Sequence, residues 1–407
     1  MVETSPAPVH PVLIVGGGLV GACLAIALDR AGVDAALVEA TPAGAMPAVF
    51  DERNLSFAEA TVNALTALGV LQKLRAPGGP IREIHVSRAG DFGRVTLAAA
   101  DYGRETFGQV VVARDFGQAL EARLAELPRL VRYRPARFAG FEGIEDGCRV
   151  VRLDGPDGDV RVRARLVVGA DGADSAVRGA LGIGADIHDY AQTLFIARLR
   201  AARAPDGRAF ERLTDTGPTA LLPRGDRHYG LVHGVASDDA EAVAALDDAA
   251  FLARVQMSFG WRAGRFVSVG PRSRHPARRV VAGRCIDTRA VLVGNAAQSL
   301  HPIGAQGFNL GLRDALTLAE CIAGAVDPGA PGVLERHVAR RREDRTRTLA
   351  FSDGLARVTS NPARLLRPLR SLGLLAIDQD SALQAMLAGG AMGYRGDVPA
   401  LCRGAGA

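Results

Sequence analysis

The sequence predicts an α/β chain: a doubly wound parallel sheet, an inserted and mainly antiparallel β-sheet, and a helical C-terminal tail. Three observations carry that expectation. Val12–Val15, Arg165–Val168 and Ala290–Val293 are short apolar runs that each pass directly into a glycine-containing loop, the habit of parallel strands whose carboxyl ends carry ligand loops. The intervals between them are rich in strand-like alternation, and the remainder of the chain reads as helical.

Taking the elements in order, Val12–Val15 enters G-G-G-L-V-G (Gly16–Gly21), a helical pattern runs from Ala22 to Ala31, Gly32 caps it, and Ala35–Val38 forms the next strand, ending at Glu39. This is a complete βαβ opening. Loop composition follows at Thr41–Pro47, then a helix is expected from Ser56 to Leu68, and A-P-G-G-P (Ala76–Pro80) breaks the chain. Ile81–Leu97 alternates as strands do, and Arg149–Leu153 precedes a hairpin-like D-G-P-D-G-D (Asp154–Asp159). Strand-like runs dominate between His188 and Arg274, with one helical stretch at Ala240–Phe259. The last part is helical, interrupted by D-P-G-A-P-G (Asp327–Gly332). No repeat of fixed period is present.

Composition narrows the function classes. With 407 residues, 48% apolar and 23% charged, the chain exceeds one ordinary domain and is not a disordered protein. Gly 48 and Pro 21 show no triplet period, which excludes a collagen-like fibre. The net charge is +5, but Lys73 is the only lysine and the arginines are dispersed, so nucleic-acid binding is not expected. Cys23, Cys148, Cys285, Cys321 and Cys402 form neither a disulfide framework nor metal-ligand spacing, which fits a reducing, cytoplasmic setting. Met1–His10 lacks the basic-then-apolar order of a signal peptide. Ala290–Leu312 is free of charge, yet Asn295, Gln298, His301, Pro302, Gln306 and Asn309 argue against a membrane span.

Three strand-to-loop motifs carry the chemistry. In Gly16-x-Gly18-x-x-Gly21, glycines permit a tight turn and let a pyrophosphate approach the backbone, and the helix N-terminus offers unpaired N–H groups. Glu39, about 20 residues on, would accept hydrogen bonds from ribose hydroxyls. The spacing predicts a Rossmann-like dinucleotide site. The second motif is Gly169-Ala170-Asp171-Gly172-x-x-Ser175-x-Val177-Arg178, just past a buried strand. By itself it would also serve as an ordinary turn. The third is Val291–Ala315, in which Asn295 could bond a polyol and Pro302–Gly307 exposes N–H groups at the start of a helix from about Asn309. Aimed at an isoalloxazine ring, that terminus would stabilise negative charge on the reduced flavin; it could equally cap a core helix.

In this order the three motifs resemble the aromatic hydroxylases of the single-component FAD monooxygenase class. Within that class the phrases Gly207–Pro223, Ser258–Arg265 and Val293–Pro302 are similar to the ubiquinone-biosynthesis hydroxylases, most of all to the branch acting on 2-polyprenyl-6-methoxyphenol; the likeness runs from about Pro11 to Tyr394. The resemblance implies a Rossmann-like FAD-binding domain in which Asp171 and Gly172 serve the pyrophosphate and the nicotinamide donor. It places Asn295 at the ribityl chain and Pro302, Gly304, Gln306, Gly307 and Asn309 around the ring, with Arg53 and Gln118 as further FAD contacts. Asn295 stands where the wider class usually has Asp, and Gly304-Ala305 reverses the order expected in the branch.

The implied cycle is reduction of FAD by NAD(P)H, addition of O2 at flavin carbon 4a, and attack of the hydroperoxide on an electron-rich phenol. A single dinucleotide fingerprint suits a nicotinamide that meets the flavin transiently, and no metal is expected. His188, His228, His233 and His301 are the candidates for the base that ionises the phenol. Sister ubiquinone-pathway hydroxylation, a soluble aromatic acid hydroxylase and a non-oxygenase flavin reductase are the alternatives.

The FAD-binding domain is expected to be discontinuous, over 1–75, 101–180 and 276–330. The substrate domain then takes 76–100 and 181–275, and a C-terminal helical segment 331–407. Partners implied are the lipophilic phenol, O2 and other ubiquinone-biosynthesis proteins. Arg336, Arg340, Arg341, Arg342, Arg345 and Arg347, followed by Arg364, Arg367 and Arg370, admit two readings. One is peripheral docking to anionic lipid at the inner membrane surface. The other, favoured here, is a solvated helix face offset by Glu335, Glu343 and Asp344.

Overall fold

The computed structural model of the protein describes residues 7–359 and 366–404. The chain opens with β1 (Val9–Val15), α1 (Leu19–Arg30) and β2 (Ala35–Val38). Next come β3 (Asn54–Ala58), α2 (Glu59–Ala67), β4 (Gly79–Ile81), β5 (Glu83–Arg88), β6 (Arg94–Ala98), β7 (Gly108–Val112) and α3 (Ala113–Leu124). β8 (Val131–Tyr133), β9 (Arg137–Glu145), β10 (Cys148–Gly155), β11 (Gly158–Gly169) and the short α4 (Ala176–Ala180) complete the first half. The second half starts with β12 (Ala185–Ala201), β13 (Arg208–Thr214), β14 (Gly217–Pro223) and β15 (Tyr229–Ala236). It continues through α5 (Ala240–Ala244), α6 (Asp248–Phe259), β16 (Phe266–Val269), β17 (Ser273–Ala282), β18 (Ile286–Asp287), β19 (Ala290–Leu292) and β20 (Gln298–Ser299). The last elements are α7 (Gly307–Ile322), α8 (Pro331–Thr359), α9 (Leu366–Gln379) and α10 (Ser381–Met392).

The first sheet runs β18-β19-β11-β1-β2-β8, and β8, β2, β1, β11 and β19 are mutually parallel. Its strands are apolar on both faces because both faces are covered. Val12, Ile14, Leu166, Val168, Val291 and Val293 pack with α1, α3 and α7. Leu13, Val15, Val167 and Leu292 point the other way, onto Val151 and Leu153 of β10 and Val177 of α4. All three sequence-predicted buried strands are therefore neighbours, with their carboxyl ends side by side.

The second sheet runs β20-β17-β12-β15-β14-β13-β5-β6 and is antiparallel except between β5 and β13. One of its faces is sealed by helix α6: Phe195, Leu199, Phe210, Leu221 and Leu231 pack on Phe251, Val255 and Phe259. A third sheet, β3-β7-β4, lies between the segments that build the other two.

Three local expectations change. The helix expected from Ser56 begins at Glu59, because Ser56 and Phe57 pair with Val110 and Gln109 of β7. Arg149–Leu153 and Arg165–Val168 belong to a single hairpin, since β11 continues unbroken from the Asp154–Asp159 turn into the second motif. The Ala240–Phe259 helix is split, Asp247 capping the N-terminus of α6 through a 2.8 Å bond from Ala250 N–H.

The arginine-rich helix also departs from the favoured reading of a solvated face. Arg341 is 3% exposed and pairs with Asp314 at 2.7 Å and with Asp344, while Arg313 grips Asp344 at 2.6 and 3.0 Å. Arg340 bonds Glu320 and Asp397 at 2.6 Å, Arg345 donates to Gln298 at 2.9 Å, and Arg336 to the Cys321 carbonyl at 2.7 Å. These cations dock α8 onto α7, while Arg342 and Arg347 remain exposed. Arg370 is buried against Asp91 at 3.3 Å; Arg364 and the side chain of Arg367 lie outside the described residues. Among the described residues, no helix is long and apolar enough to cross a membrane.

Candidate active site

The three glycines of the first motif are required for different reasons. Gly16 has φ +108° and donates its N–H to the Val38 carbonyl at 2.9 Å. A Cβ on Gly21 would sit 1.9 Å from the Gly16 carbonyl oxygen, so the turn and α1 touch backbone to backbone. Gly18 is different. Its backbone, φ −72° and ψ −167°, suits any residue, and an added Cβ would meet only Val49 Cγ1 at 3.7 Å. Nothing within the protein itself asks for glycine there. As the N-cap of α1, Gly18 supplies no side-chain cap, which leaves the helix N–H groups for an anion.

Glu39 ends β2 nearly buried, accepting from Gly17 N–H at 3.0 Å and Thr41 N–H at 2.7 Å. Each carboxylate oxygen keeps a further lone pair for a ribose hydroxyl. Arg53 is oriented by Asp51, with its Nε 2.8 Å from the carboxylate and its Nη2 3.2 Å from the Val49 carbonyl. Gln118 lies half-buried on α3.

In the second motif the Asp171 carboxylate is committed locally, accepting from Ser175 Oγ at 2.5 Å and Val177 N–H at 3.1 Å. Ser175 in turn caps α4 by accepting from Arg178 N–H. Gly172 has φ +90° and open space where a side chain would be. Arg178, the last residue of the motif, has a structural role. It joins the second and third loops, donating to the Ala173 carbonyl at 2.8 Å and the Ala296 carbonyl at 3.0 Å.

The third motif places Asn295 exposed in a turn behind β19. Pro302 and Gly304 are also exposed, Gly304 and Ala305 have φ +70° and +50°, and a Cβ on Gly307 would meet nothing within 4 Å. Gln306 donates to the Gly304 carbonyl at 3.1 Å, and its buried Oε1 has no hydrogen-bond partner among the described residues.

The Asn309 side chain has another job than the one expected. Its Oδ1 accepts from Ala58 N–H at 3.0 Å, and its Nδ2 donates to the Ser56 and Ala305 carbonyls, both at 2.9 Å. It pins β3 to the loop, leaving its backbone N–H, in the first turn of α7, as the group available to a ligand. No spacing rule reveals such a contact, because it spans 251 positions of sequence.

The histidine candidates separate by geometry. His301 is buried, its Nδ1 accepting from Ile303 N–H at 3.2 Å and its Nε2 facing Gln192 Oε1 at 3.1 Å; burial pushes the imidazole down to about 4. It is a neutral spacer. His233, likewise lowered to about 4 by burial and then by Arg254, faces Thr219 and Phe251 on the helix-covered side of the second sheet. His228 is held in its turn by Asp226, and His188 lies edge-on to Tyr190. His233 and His301 are buried, whereas His188 and His228 are half-buried, and Tyr190 links His188 to His301 through ring contacts.

An open cradle at Gly18, Gly172 and Gly307, the unpaired N–H groups of two helices and the unpartnered Gln306 oxygen together fit a flavin dinucleotide. Fold and site thus define a flavoprotein of the α/β dinucleotide-binding type. The FAD binding domain family covers residues 10–352 of the chain. The chain is 36% identical over 390 residues to the ubiquinone hydroxylase UbiL of Rhodospirillum rubrum, covering 95% of this chain and 90% of that one. It is 29% identical to the 3-demethoxyubiquinol 3-hydroxylase of Escherichia coli, over 92% of this chain and 96% of the other. The crystal structure of p-nitrophenol 4-monooxygenase PnpA from Pseudomonas putida superimposes with a TM-score of 0.79 at 19% identity, covering 96% and 99% of the two chains. The protein belongs to the FAD binding domain family and, within it, to the FAD-dependent monooxygenases of the ubiquinone hydroxylase family.

Proposed function

We propose that this protein hydroxylates the ring of a polyprenylated methoxyphenol in aerobic ubiquinone biosynthesis, with NAD(P)H as electron donor. The observation that carries the substrate class is the second face of the second sheet. Where the α6 side buries Phe195, Leu199, Leu221 and Leu231, the opposite side keeps Ile196 and Val232 half-buried, with Ile84, Val86 and Leu222 lying beside them under the C-terminal helices. That face is turned toward the Pro302–Gly307 loop, since Gln192 on β12 shares it and meets His301. An apolar lining suits a prenyl chain and keeps water from the ring.

Bound FAD would accept hydride from the nicotinamide and activate oxygen. The chain's own residues do the rest. The α1 N-terminus and Gly18 receive the pyrophosphate, Glu39 the ribose, and Asn295 a ribityl hydroxyl. The α7 N-terminus, with Gly304, Gln306 and Gly307, would favour negative charge on the ring. Pro302 would stand beside the ring on the oxygen side.

A sister step on the same pathway is the second reading, supported by relatives named for different ubiquinone hydroxylations. The quinone precursors in lipid extracts of an aerobically grown deletion strain test both. Accumulated polyprenyl-methoxyphenol supports the first reading and a different precursor the second. Normal ubiquinone, with no redundant hydroxylase, would overturn both.

A further inference from the structure

The strand registers define a continuous row of side chains on the face of the second sheet opposite α6. Ile196 pairs with Val232, Val232 with Ala220, Ala220 with Glu211, and Glu211 with Val86. Paired residues share a face, so Glu211 stands on the same side as Gln192, which contacts His301 of the flavin-side loop. Leu374, Ile377, Leu387 and Met392 of α9 and α10 pack over Ile84, Val86, Ala209 and Leu222 of that face. Every other member of the row is apolar, and strand alternation alone would place an apolar residue at 211 as well.

Among the described residues no charged group pairs with the carboxyl of Glu211. Its Oε1 is shielded from solvent without a hydrogen-bond partner among the described residues, although the side chain as a whole is only half-buried. Burial pushes the group up to about 7. The charged neighbours are engaged elsewhere. Arg88, next along β5 on the same face, pairs with Asp91 and Asp215, and Arg370 of α9 with Asp91. Asp378 of α9 accepts from Thr96 N–H. Arg212 and His85 point to the other face, toward Ser87 and Phe210. An unpaired carboxyl in such a place costs stability unless a ligand group completes it.

We propose that Glu211 is the base that receives the proton of the substrate's ring hydroxyl, an assignment that rests on the phenol hydroxylation proposed above. In this step the phenolic O–H bond breaks, the proton goes to Glu211 Oε1, and the electron pair stays on the phenolic oxygen. From there it delocalises onto the ring carbons that attack the activated oxygen. The product is a neutral carboxylic acid beside a phenolate, with no other reactant consumed. A free phenol ionises near 10, as tyrosine does; a carboxyl held near neutrality stands closer to it than an ordinary one and accepts the proton more readily.

The test uses the FAD-loaded protein and a short-chain prenylated 2-methoxyphenol as the probe. Ionisation of the bound probe is followed by ultraviolet difference spectra against pH, and oxygenated product is measured in parallel. In the wild type the bound probe is expected to ionise well below pH 10. In Glu211→Gln, judged folded by its flavin content, ionisation should return toward the free value. Hydroxylation at neutral pH should fall about 100-fold and recover as the pH is raised. Glu211→Asp, which restores a carboxylate, should regain part of the shift, an effect that a merely structural loss would not produce. Identical ionisation curves and rates in wild type and Glu211→Gln would overturn the assignment and leave the phenol reading standing. A wild type that neither binds nor oxygenates the probe would overturn the phenol reading, and Glu211 with it.

Discussion

Gly18→Val separates the demands of the protein from those of its cofactor. The backbone at Gly18 is extended (φ −72°, ψ −167°), which valine adopts without strain, and the new Cβ would lie 3.7 Å from Val49 Cγ1, an ordinary contact. The fold should lose little, no more than about 1 kcal/mol for a poorer N-cap. The branched methyls instead project into the space required by the pyrophosphate. Displacing it from the α1 N-terminus would remove roughly two charge-assisted hydrogen bonds of about 1.5–3 kcal/mol each. At about 1.4 kcal/mol per tenfold, FAD affinity should drop on the order of 10²–10⁴-fold. Flavin content after purification and fluorescence titration of the apoprotein measure this, with circular dichroism as the check on folding. A Gly18→Val protein that retains full flavin and wild-type affinity would refute the assignment. Gly21→Ala is the contrasting control: its Cβ would fall 1.9 Å from the Gly16 oxygen, so the turn itself must break.

Asn309→Ala strips a partner from the buried Ala58 N–H and from the Ser56 and Ala305 carbonyls. It should lower unfolding stability by about 2–4 kcal/mol, measured in urea, and weaken flavin binding by loosening the loop. Asp344→Asn should cost about 3–5 kcal/mol, seen as a lowered Tm, because Arg313 and Arg341 lose the buried carboxylate they share. Stability should also fall as the pH drops from about 6.5 toward 4. His233, His301 and His337 are lowered to about 4 by burial, so at these three sites the unfolded chain takes up protons before the folded one does, outweighing the opposite contribution of Glu211, raised to about 7. His233→Asn should flatten that slope in urea midpoints compared at several pH values, and an unchanged slope would rule His233 out as a contributor.

The chain order of strands and loops is legible in the sequence because the parallel sheet writes it locally: apolar strand, glycine turn, helix. Val12–Val15, Arg165–Val168 and Ala290–Val293 announce themselves as strands, and their shared sheet brings the three motifs together. Contacts made across long sequence separations leave no local mark. Asn309 reads as the start of a helix beside the ring, yet its amide is engaged with β3. Arg341 looks like one more surface cation on a polar helix, yet its partner Asp314 is on α7, and only packing decides that the pair is buried. Ser56 and Phe57 read as the start of a helix until β7 arrives to pair with them. Glu211 sits inside the recognisable Gly207–Pro223 phrase, but its place on the sheet face shared with Gln192 depends on a row of five strands.

The loop at 301–307 is held from three directions, which bears on how the two sheets can act together. β12 of the second sheet reaches it through Gln192 and His301 at 3.1 Å, and α8 through Ser352 Oγ, 3.1 Å from the His301 carbonyl. The third sheet is tied to it through Asn309, which bonds Ala58 and Ser56 of β3 and the Ala305 carbonyl. A ring bound against this loop would therefore stand in a set relation to Glu211 and to the apolar row beside it, with no free hinge between cofactor and substrate walls. Transfer of an oxygen atom to one carbon among several on a phenol needs such fixity, since a displacement of about 1 Å can cost a hundredfold in rate. The C-terminal helices contribute to the same frame. α8 carries Ser352 against the loop, and α9 and α10 cover part of the second sheet on the face opposite α6. Loosening the ion pairs that dock α8 onto α7 should then lower coupling of NAD(P)H oxidation to hydroxylation before it releases the flavin.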